Sequence, residues 1–219
     1  MVTKLFKKTV DLIYPPICPF CESVIKSGQM WCEDCYEKFP ENGYFTEFSK
    51  DYVCVSPFIY KEPFREAVLR FKFNELPQLA DSLSEPVYRS INEFYENFEF
   101  DFVTCVPLSK KRFKKRGYNQ AKLIAKNVAV KMNVPYADLL IKIKENAEQH
   151  NLPEEKRASN VEGVYQTINN EKISEKTILL IDDVLTTGST LAECCKMLEI
   201  RGAAKVFCAT ITVVHNENN

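Results

Sequence analysis

Ile178-Leu179-Leu180-Ile181-Asp182-Asp183-Val184-Leu185-Thr186-Thr187-Gly188-Ser189-Thr190 is the stretch that decides how this chain is read. An apolar run ends in two adjacent carboxylates. A turn of hydroxyl residues around one glycine follows, and then Leu191, Cys194, Cys195 and Leu198 repeat with helical spacing. That order predicts a buried strand, a polar turn and a helix N-terminus. The first N–H groups of a helix lack intrahelical partners and sit at its positive dipole end, so the turn suits an anion such as phosphate. Thr186, Thr187, Ser189 and Thr190 add hydroxyls, and Gly188 lets the backbone turn tightly beside the anion. Asp182 and Asp183 are placed to accept hydrogen bonds from a sugar diol, or to reach Mg²⁺ directly or through water. One loop thereby offers partners to both ends of a phosphorylated ribose.

Outward from this turn, strands and helices alternate. Tyr52-Val53-Cys54-Val55 opens a strand expected to run to about Tyr60, and Pro63 suits the start of a helix whose apolar face is Ala67, Val68 and Phe71. A second helix is expected over roughly 77–95, and a short buried strand at 102–106 ending at Pro107. Ala121, Ile124, Ala125, Val128 and Met132 mark one face of a further helix. Residues 136–141 read as a short helix or strand and 145–160 as loop. Gly202 is placed to end the helix after the diacid turn, and Val206 to Val214 reads as a last strand. The expected fold is α/β, a mainly parallel sheet flanked by helices. Ligands of such sheets bind beyond the carboxyl ends of the strands, where Asp182 and Asp183 lie.

The chain has 219 residues, 45% of them apolar, which is enough for one large domain with a small appendage. With 29 basic and 30 acidic residues the formal charge is −1, which excludes a uniformly basic nucleic-acid binder and leaves room for a local patch. No apolar run approaches the roughly 18–20 residues of a membrane span. In Met1 to Pro16, Lys7, Lys8, Thr9 and Asp11 interrupt the apolar residues, so a short docking helix with Phe6, Val10 and Ile13 on one face is expected rather than a signal peptide. The expected location is the cytoplasm.

Four of the nine cysteines are concentrated near the N-terminus. Cys18-x₂-Cys21 and Cys32-x₂-Cys35 each place two thiolates on a tight turn, and the two pairs together make a closed tetrahedral set for a structural Zn²⁺. Pro19 stiffens the first turn and Gly28 permits the bend between the pairs. Residues 1–44 are therefore expected to form an N-terminal helix and Cys₄ module and 45–219 the α/β domain, with 41–50 as linker. Cys54, Cys105, Cys194, Cys195 and Cys208 fall in apolar patterns and are expected to be ordinary core residues.

Lys110 to Arg116 carries six cations in seven positions. It reads as a basic loop, 109–117, that follows Val106-Pro107-Leu108 on the same sheet edge as the diacid turn. There it would neutralise pyrophosphate or a nucleic-acid backbone, with Tyr118 available to stack on a base.

The 13 residues from Ile178 to Thr190 resemble the ribose-phosphate signature of type I phosphoribosyltransferases. The resemblance implies phosphoribosyl pyrophosphate with Mg²⁺ as donor and displacement of pyrophosphate from C1 through an oxocarbenium-like transition state. Asp182, Asp183 and Arg116 would be the catalytic residues, working mainly by positioning and charge stabilisation. Over nearly its whole length the chain is similar to the ComF family. The shared order is the four-Cys module, Phe71-Lys72-Phe73, Val106-Pro107-Leu108, Arg116-Gly117-Tyr118-Asn119-Gln120, then Gln149, Leu152, Arg157, Asn160 and Gly163, then the diacid turn. Lys142, Asn146 and Val164-Tyr165 depart from the family's usual residues. The resemblance implies a role in DNA uptake during natural transformation, with Tyr118, Asn119, Gln149, Arg157 and Asn160 as hood or acceptor contacts. Single-stranded DNA and other competence proteins are the implied partners. One reading is an Mg²⁺-dependent transferase with an unknown acceptor. The other is a competence protein that binds DNA through the same pocket and the basic loop without transfer. No residue stands out as an acceptor base, and no glutamine-hydrolysing cysteine domain is legible, which argues against a complete amidotransferase.

Overall fold

The computed structural model describes residues 15–49, 52–74, 76–144 and 163–214. The helix expected around Phe6, Val10 and Ile13 lies outside them. A one-turn helix, α1 (Glu33–Tyr36), precedes the hairpin of β1 (Tyr44–Phe48) and β2 (Tyr52–Ser56), after which come β3 (Phe58–Ile59), α2 (Phe64–Phe73) and α3 (Leu79–Phe94). The central part holds β4 (Phe102–Cys105), α4 (Lys110–Arg116), α5 (Gln120–Met132) and the antiparallel pair β5 (Leu140–Lys142) and β6 (Tyr165–Thr167). The chain then forms β7 (Thr177–Ile181), β8 (Val184–Leu185), α6 (Ser189–Ile200), β9 (Lys205–Ala209) and β10 (Thr212–Val213). The main sheet has the order β1-β2-β9-β7-β4, parallel from β2 to β4 with β1 antiparallel at the edge, and β3-β10-β8 form a small parallel sheet beside it.

β7 is paired on both edges, with β4 and β9, and helices pack on both its faces, so Ile178, Leu179, Leu180 and Ile181 are each wholly buried. This is why its sequence is an unbroken apolar run. Side chains alternate across a strand, and the core divides accordingly. Leu179 and Ile181 join Ala67, Phe71, Leu83, Ile124 and Val128 of α2, α3 and α5 on one face. Ile178 and Leu180 join Cys54, Cys208 and the α6 residues Leu191, Cys194, Cys195 and Leu198 on the other. Each Leu, Ile, Val or Phe side chain among them contributes roughly 1.5–3 kcal/mol of burial. Cys54, Cys105, Cys194, Cys195 and Cys208 are all buried, as expected. Burial pushes the Cys54 and Cys105 thiols up to about 12, which leaves them protonated and inert.

The fold departs from expectation in three respects. The expected linker contains β1, paired with β2 from Tyr44↔Ser56 to Phe48↔Tyr52. The strands expected at 52–60 and 206–214 are each broken in two, because the chain steps from the main sheet to the small one. Pro57 has no N–H to continue the ladder, and at the second step Thr210 Oγ1 lies 2.7 Å from Ser56 Oγ, in a buried polar link between the two crossings. The third is the basic segment, which is a helix and not a loop. Ser109 Oγ accepts from Arg112 N–H at 3.3 Å to cap α4, and Gly117 (φ 76°) ends it. Lys and Arg are good helix formers, and Lys114, Lys115 and Arg116 in the last turn face the negative end of the dipole. Among the described residues no helix is long and apolar enough to cross a membrane.

Candidate functional site

The diacid turn is held from both sides. Asp182 N–H donates to Ala209 O (3.1 Å), and Asp183 O accepts from Ile211 N–H (3.1 Å). Asp182 Oδ1 accepts from the N–H of Asp183 at 2.8 Å, so the two carboxylates have a fixed relation. Gly188 caps α6 at φ 76°, in the left-handed region. It is also packed under Phe48: a Cβ there would lie 2.4 Å from that ring. The glycine is needed for two independent reasons, and only the first was legible in the sequence. Thr187 and Ser189 hydroxyls lie 3.0 Å apart, while Thr186, Gly188 and Thr190 line the cleft.

Burial raises the Asp182 carboxyl to about 7, with the neighbouring Asp183 charge as the second cause; Lys72 and Arg116 act against both. Asp183 carries the stronger partner, the Lys72 ammonium at 2.7 Å from Oδ1. The cleft has a volume of about 310 Å³. Its floor is the diacid turn, and Arg112, Lys115 and Arg116 of α4 border it. Burial lowers Arg116 from its ordinary value, and the Asp183 and Asp182 charges oppose that shift. The cleft thereby brings together two carboxylates, a helix N-terminus, and guanidinium and ammonium groups.

The string Arg116 to Gln120 connects these parts. Gly117 stops α4. Asn119 caps α5, its Oδ1 accepting from Lys122 N–H (3.3 Å) while its Nδ2 donates to Val106 O at 3.0 Å. Tyr118 donates its hydroxyl to Phe71 O and packs its ring against Phe71, 5.7 Å between centroids. Buried Gln120 also donates to Phe71 O (3.4 Å) and accepts from Arg116 Nη1 (3.1 Å). Tyr118 therefore faces α2 and lies outside the cleft lining, whereas Arg116 and Asn119 lie in it.

Gln149, His150, Leu152, Arg157 and Asn160 fall outside the described residues. Gly163 is described, at φ 65°, its N–H donating to Glu193 Oε1 at 2.9 Å. Lys142 and Tyr165, two of the departures from the family pattern, both line the cleft, with the ammonium 5.5 Å from the ring centre. Lys72, Tyr60 and Phe73 also line it without having been assigned a role from sequence.

In the cysteine centre, ligand atoms of Cys18, Cys21, Cys32 and Cys35 all lie within 4.8 Å of one another. A tetrahedron of thiolates about 2.3 Å from Zn²⁺ has edges of about 3.8 Å, so the donor set and its spacing fit zinc with no open position. The centre is joined to the α/β body: Phe20 meets Phe58 and Phe64 edge-on at 5.6 and 5.5 Å, and Arg70 Nη2 donates to Pro19 O at 2.5 Å.

Residues 115–218 match the phosphoribosyl transferase domain family and residues 9–45 the double zinc ribbon domain family. Competence protein F of Haemophilus influenzae is 26% identical over 87% of this chain and 82% of its own. Competence protein ComFC of Bacillus subtilis is 30% identical over 68% of this chain and 59% of its own. Among solved structures, Trypanosoma brucei adenine phosphoribosyl transferase aligns at 15% identity with a TM-score of 0.44, covering 81% of this chain and 91% of that one. The allosteric regulatory enzyme of purine biosynthesis aligns at 18% identity and a TM-score of 0.43; 67% of this chain is covered, and it spans only 30% of that enzyme. The chain is thus ComF-like: a phosphoribosyltransferase-fold protein with an N-terminal zinc module.

Proposed function

We propose that the cleft binds a 5-phosphoribosyl group, as phosphoribosyl pyrophosphate with Mg²⁺, and that the protein serves DNA uptake in the cytoplasm. The observation that carries this reading is the placement of Asp182, Asp183 and the α6 N-terminus in one cleft with Arg112, Lys115 and Arg116. Backbone N–H groups at 186–190 and the Thr186 and Thr190 hydroxyls hold the 5′-phosphate. Asp182 and Asp183 accept from the ribose 2′- and 3′-hydroxyls. Arg116, with Arg112 and Lys115, stabilises the charge that develops on departing pyrophosphate. Their hard oxygen donors suit Asp182 and Asp183 to hold Mg²⁺, which when bound neutralises the diphosphate. The names Competence protein F and Competence protein ComFC carried by relatives support the assignment to DNA uptake.

The test is ligand-linked stabilisation. At a ligand concentration of 100 Kd, binding adds roughly 2.7 kcal/mol. An unchanged melting temperature on adding phosphoribosyl pyrophosphate and Mg²⁺ defeats the reading. Release of pyrophosphate with a candidate acceptor separates a transferase from a binder.

A second reading is favoured by the way α4 divides its charge. Arg112, Lys115 and Arg116 border the cleft, whereas Lys110, Lys111 and Lys114 are exposed outside its lining beside Phe113, itself 52% exposed. That outer face suits a single-stranded polynucleotide, with phosphates on the lysines and a base on Phe113. Replacing the three lysines by Gln should lower the salt slope of single-strand binding by about 2, at roughly 0.7 per phosphate contact. An unchanged slope removes α4 as the contact.

A further inference from the structure

Lys72 is the penultimate residue of α2, and its ammonium is 2.7 Å from Asp183 Oδ1, with the two side chains only 16% and 15% exposed. The end of α2 is fixed from outside the helix. Carbonyls of the last turn have no intrahelical donor, and Phe71 O is served by the Tyr118 hydroxyl and Gln120 Nε2. Gln120 is held in turn by Arg116. The string Arg116 to Gln120 thus works as a clamp on the residue next to Lys72. This lysine stands on the carboxylate that the ribose diol or a cation must reach.

We propose that Lys72 is a displaceable counter-ion that makes the cleft select phosphoribosyl ligands bearing both a divalent cation and a diphosphate over simple sugar phosphates. The inference rests on the phosphoribosyl reading above. A neutral diol that takes Asp183 from Lys72 exchanges an ion pair for hydrogen bonds from uncharged donors, and strands the ammonium in a cleft that also holds Arg112, Lys115 and Arg116. A Mg²⁺-diphosphate ligand brings a cation for Asp183 and an anion for Lys72, so both halves of the broken pair are satisfied in the same event. The flexible lysine stem and its compact ammonium suit such a move from one partner to another. Lys72 is by this account a positioning and specificity residue, not a catalytic one.

The experiment is calorimetric titration of wild type, K72M, K72Q and K72R with two probes: phosphoribosyl pyrophosphate plus Mg²⁺, and ribose 5-phosphate without it. Wild type should prefer the first. In K72M and K72Q, affinity for the diphosphate should fall while that for ribose 5-phosphate holds or rises, so that the selectivity ratio drops about tenfold or more, about 1.4 kcal/mol. K72R should keep most of the ratio. Melting curves confirm that each variant is folded, and the Gln variant serves if Met disturbs the packing. Equal weakening for both probes, or an unchanged ratio, overturns the counter-ion role and leaves the phosphoribosyl reading standing. Failure of both probes to bind the wild type overturns the two together.

Discussion

Replacing Asp182 with Asn should stabilise the ligand-free protein at neutral and alkaline pH while abolishing its response to a phosphoribosyl ligand. Burial, and then the charge of Asp183, lift this carboxyl from 3.8 to about 7. As pH rises past 3.8 the unfolded chain gives up this proton and the native one keeps it. The contribution of Asp182 to stability is therefore complete below that value, declines as pH rises, and is lost once pH passes about 7. About three units at 1.36 kcal/mol each set a ceiling of about 4 kcal/mol. The side chain is only partly covered from solvent and has Lys72 and Arg116 nearby, so screening brings the expected loss to about 1–2 kcal/mol. Asn keeps an oxygen to accept from Asp183 N–H, now 2.8 Å from Oδ1, and carries no charge. At about 2–4 °C per kcal/mol for a chain of this size, D182N should melt roughly 2–8 °C above wild type at pH 8. The gap should close toward pH 4. Differential scanning fluorimetry from pH 4 to 8, without Mg²⁺ or ligand, measures it. A gap that does not depend on pH, or a variant less stable than wild type at pH 8, refutes the reasoning. The shift caused by phosphoribosyl pyrophosphate and Mg²⁺ should meanwhile be lost in D182N.

Elemental analysis should find one zinc per chain. Chelation or Cys35→Ser should remove it at a cost of several kcal/mol, since binding and folding of such a site are one process, and the near-ultraviolet signal should change as Phe20 leaves Phe58 and Phe64. A chelated protein with an unaltered melting curve would refute a structural role. Gly188→Ala should cost about 2–4 kcal/mol, combining a left-handed backbone with a Cβ pressed into the Phe48 ring, and denaturant midpoints would show it. Phe48→Ala combined with Gly188→Ala should recover the packing part alone; full recovery would show that backbone conformation carries none of the cost.

The parts legible in the sequence were those in which one local pattern answers one local demand. β7 is covered on both faces and must be apolar throughout, so its residues announce it. The helix faces of α2, α5 and α6 repeat at the period that their burial imposes. Four thiolates at paired spacing suffice for a metal centre because the ligands are local to two short turns. β1 was missed because Tyr44 to Phe48 lies at a sheet edge, alternates only weakly between half-buried and exposed positions, and follows polar residues that resemble a linker. The two broken strands could not be divided from sequence alone, since the breaks reflect a step between sheets that depends on where β8 lies. α4 resembles a loop in sequence because its charge density masks the helix propensity of Lys and Arg and the Ser109 and Gly117 caps.

The site shows the deeper limit. Asp182, Asp183 and the Thr186 to Thr190 turn belong to one contiguous stretch, and the sequence displays them together. Lys72 reaches Asp183 only because α2 and β7 share one side of the core. No spacing rule joins a lysine to an aspartate so distant in the chain. The same holds for Tyr118 and Gln120, whose polar side chains look like ligand contacts until Phe71 O is seen to receive them. A polar residue in a functional string has two possible jobs, touching the ligand or holding what touches it. Only the identity of the acceptor separates them, and here it makes most of Arg116 to Gln120 a support for Lys72. Substitutions at Tyr118 and Gln120 should therefore reproduce the loss of ligand selectivity expected at Lys72, whereas Asn119, which lines the cleft and holds Val106 O, should affect the affinity for both probes. Selectivity that survives Tyr118→Phe together with Gln120→Met would refute the support of Lys72 through Phe71 O.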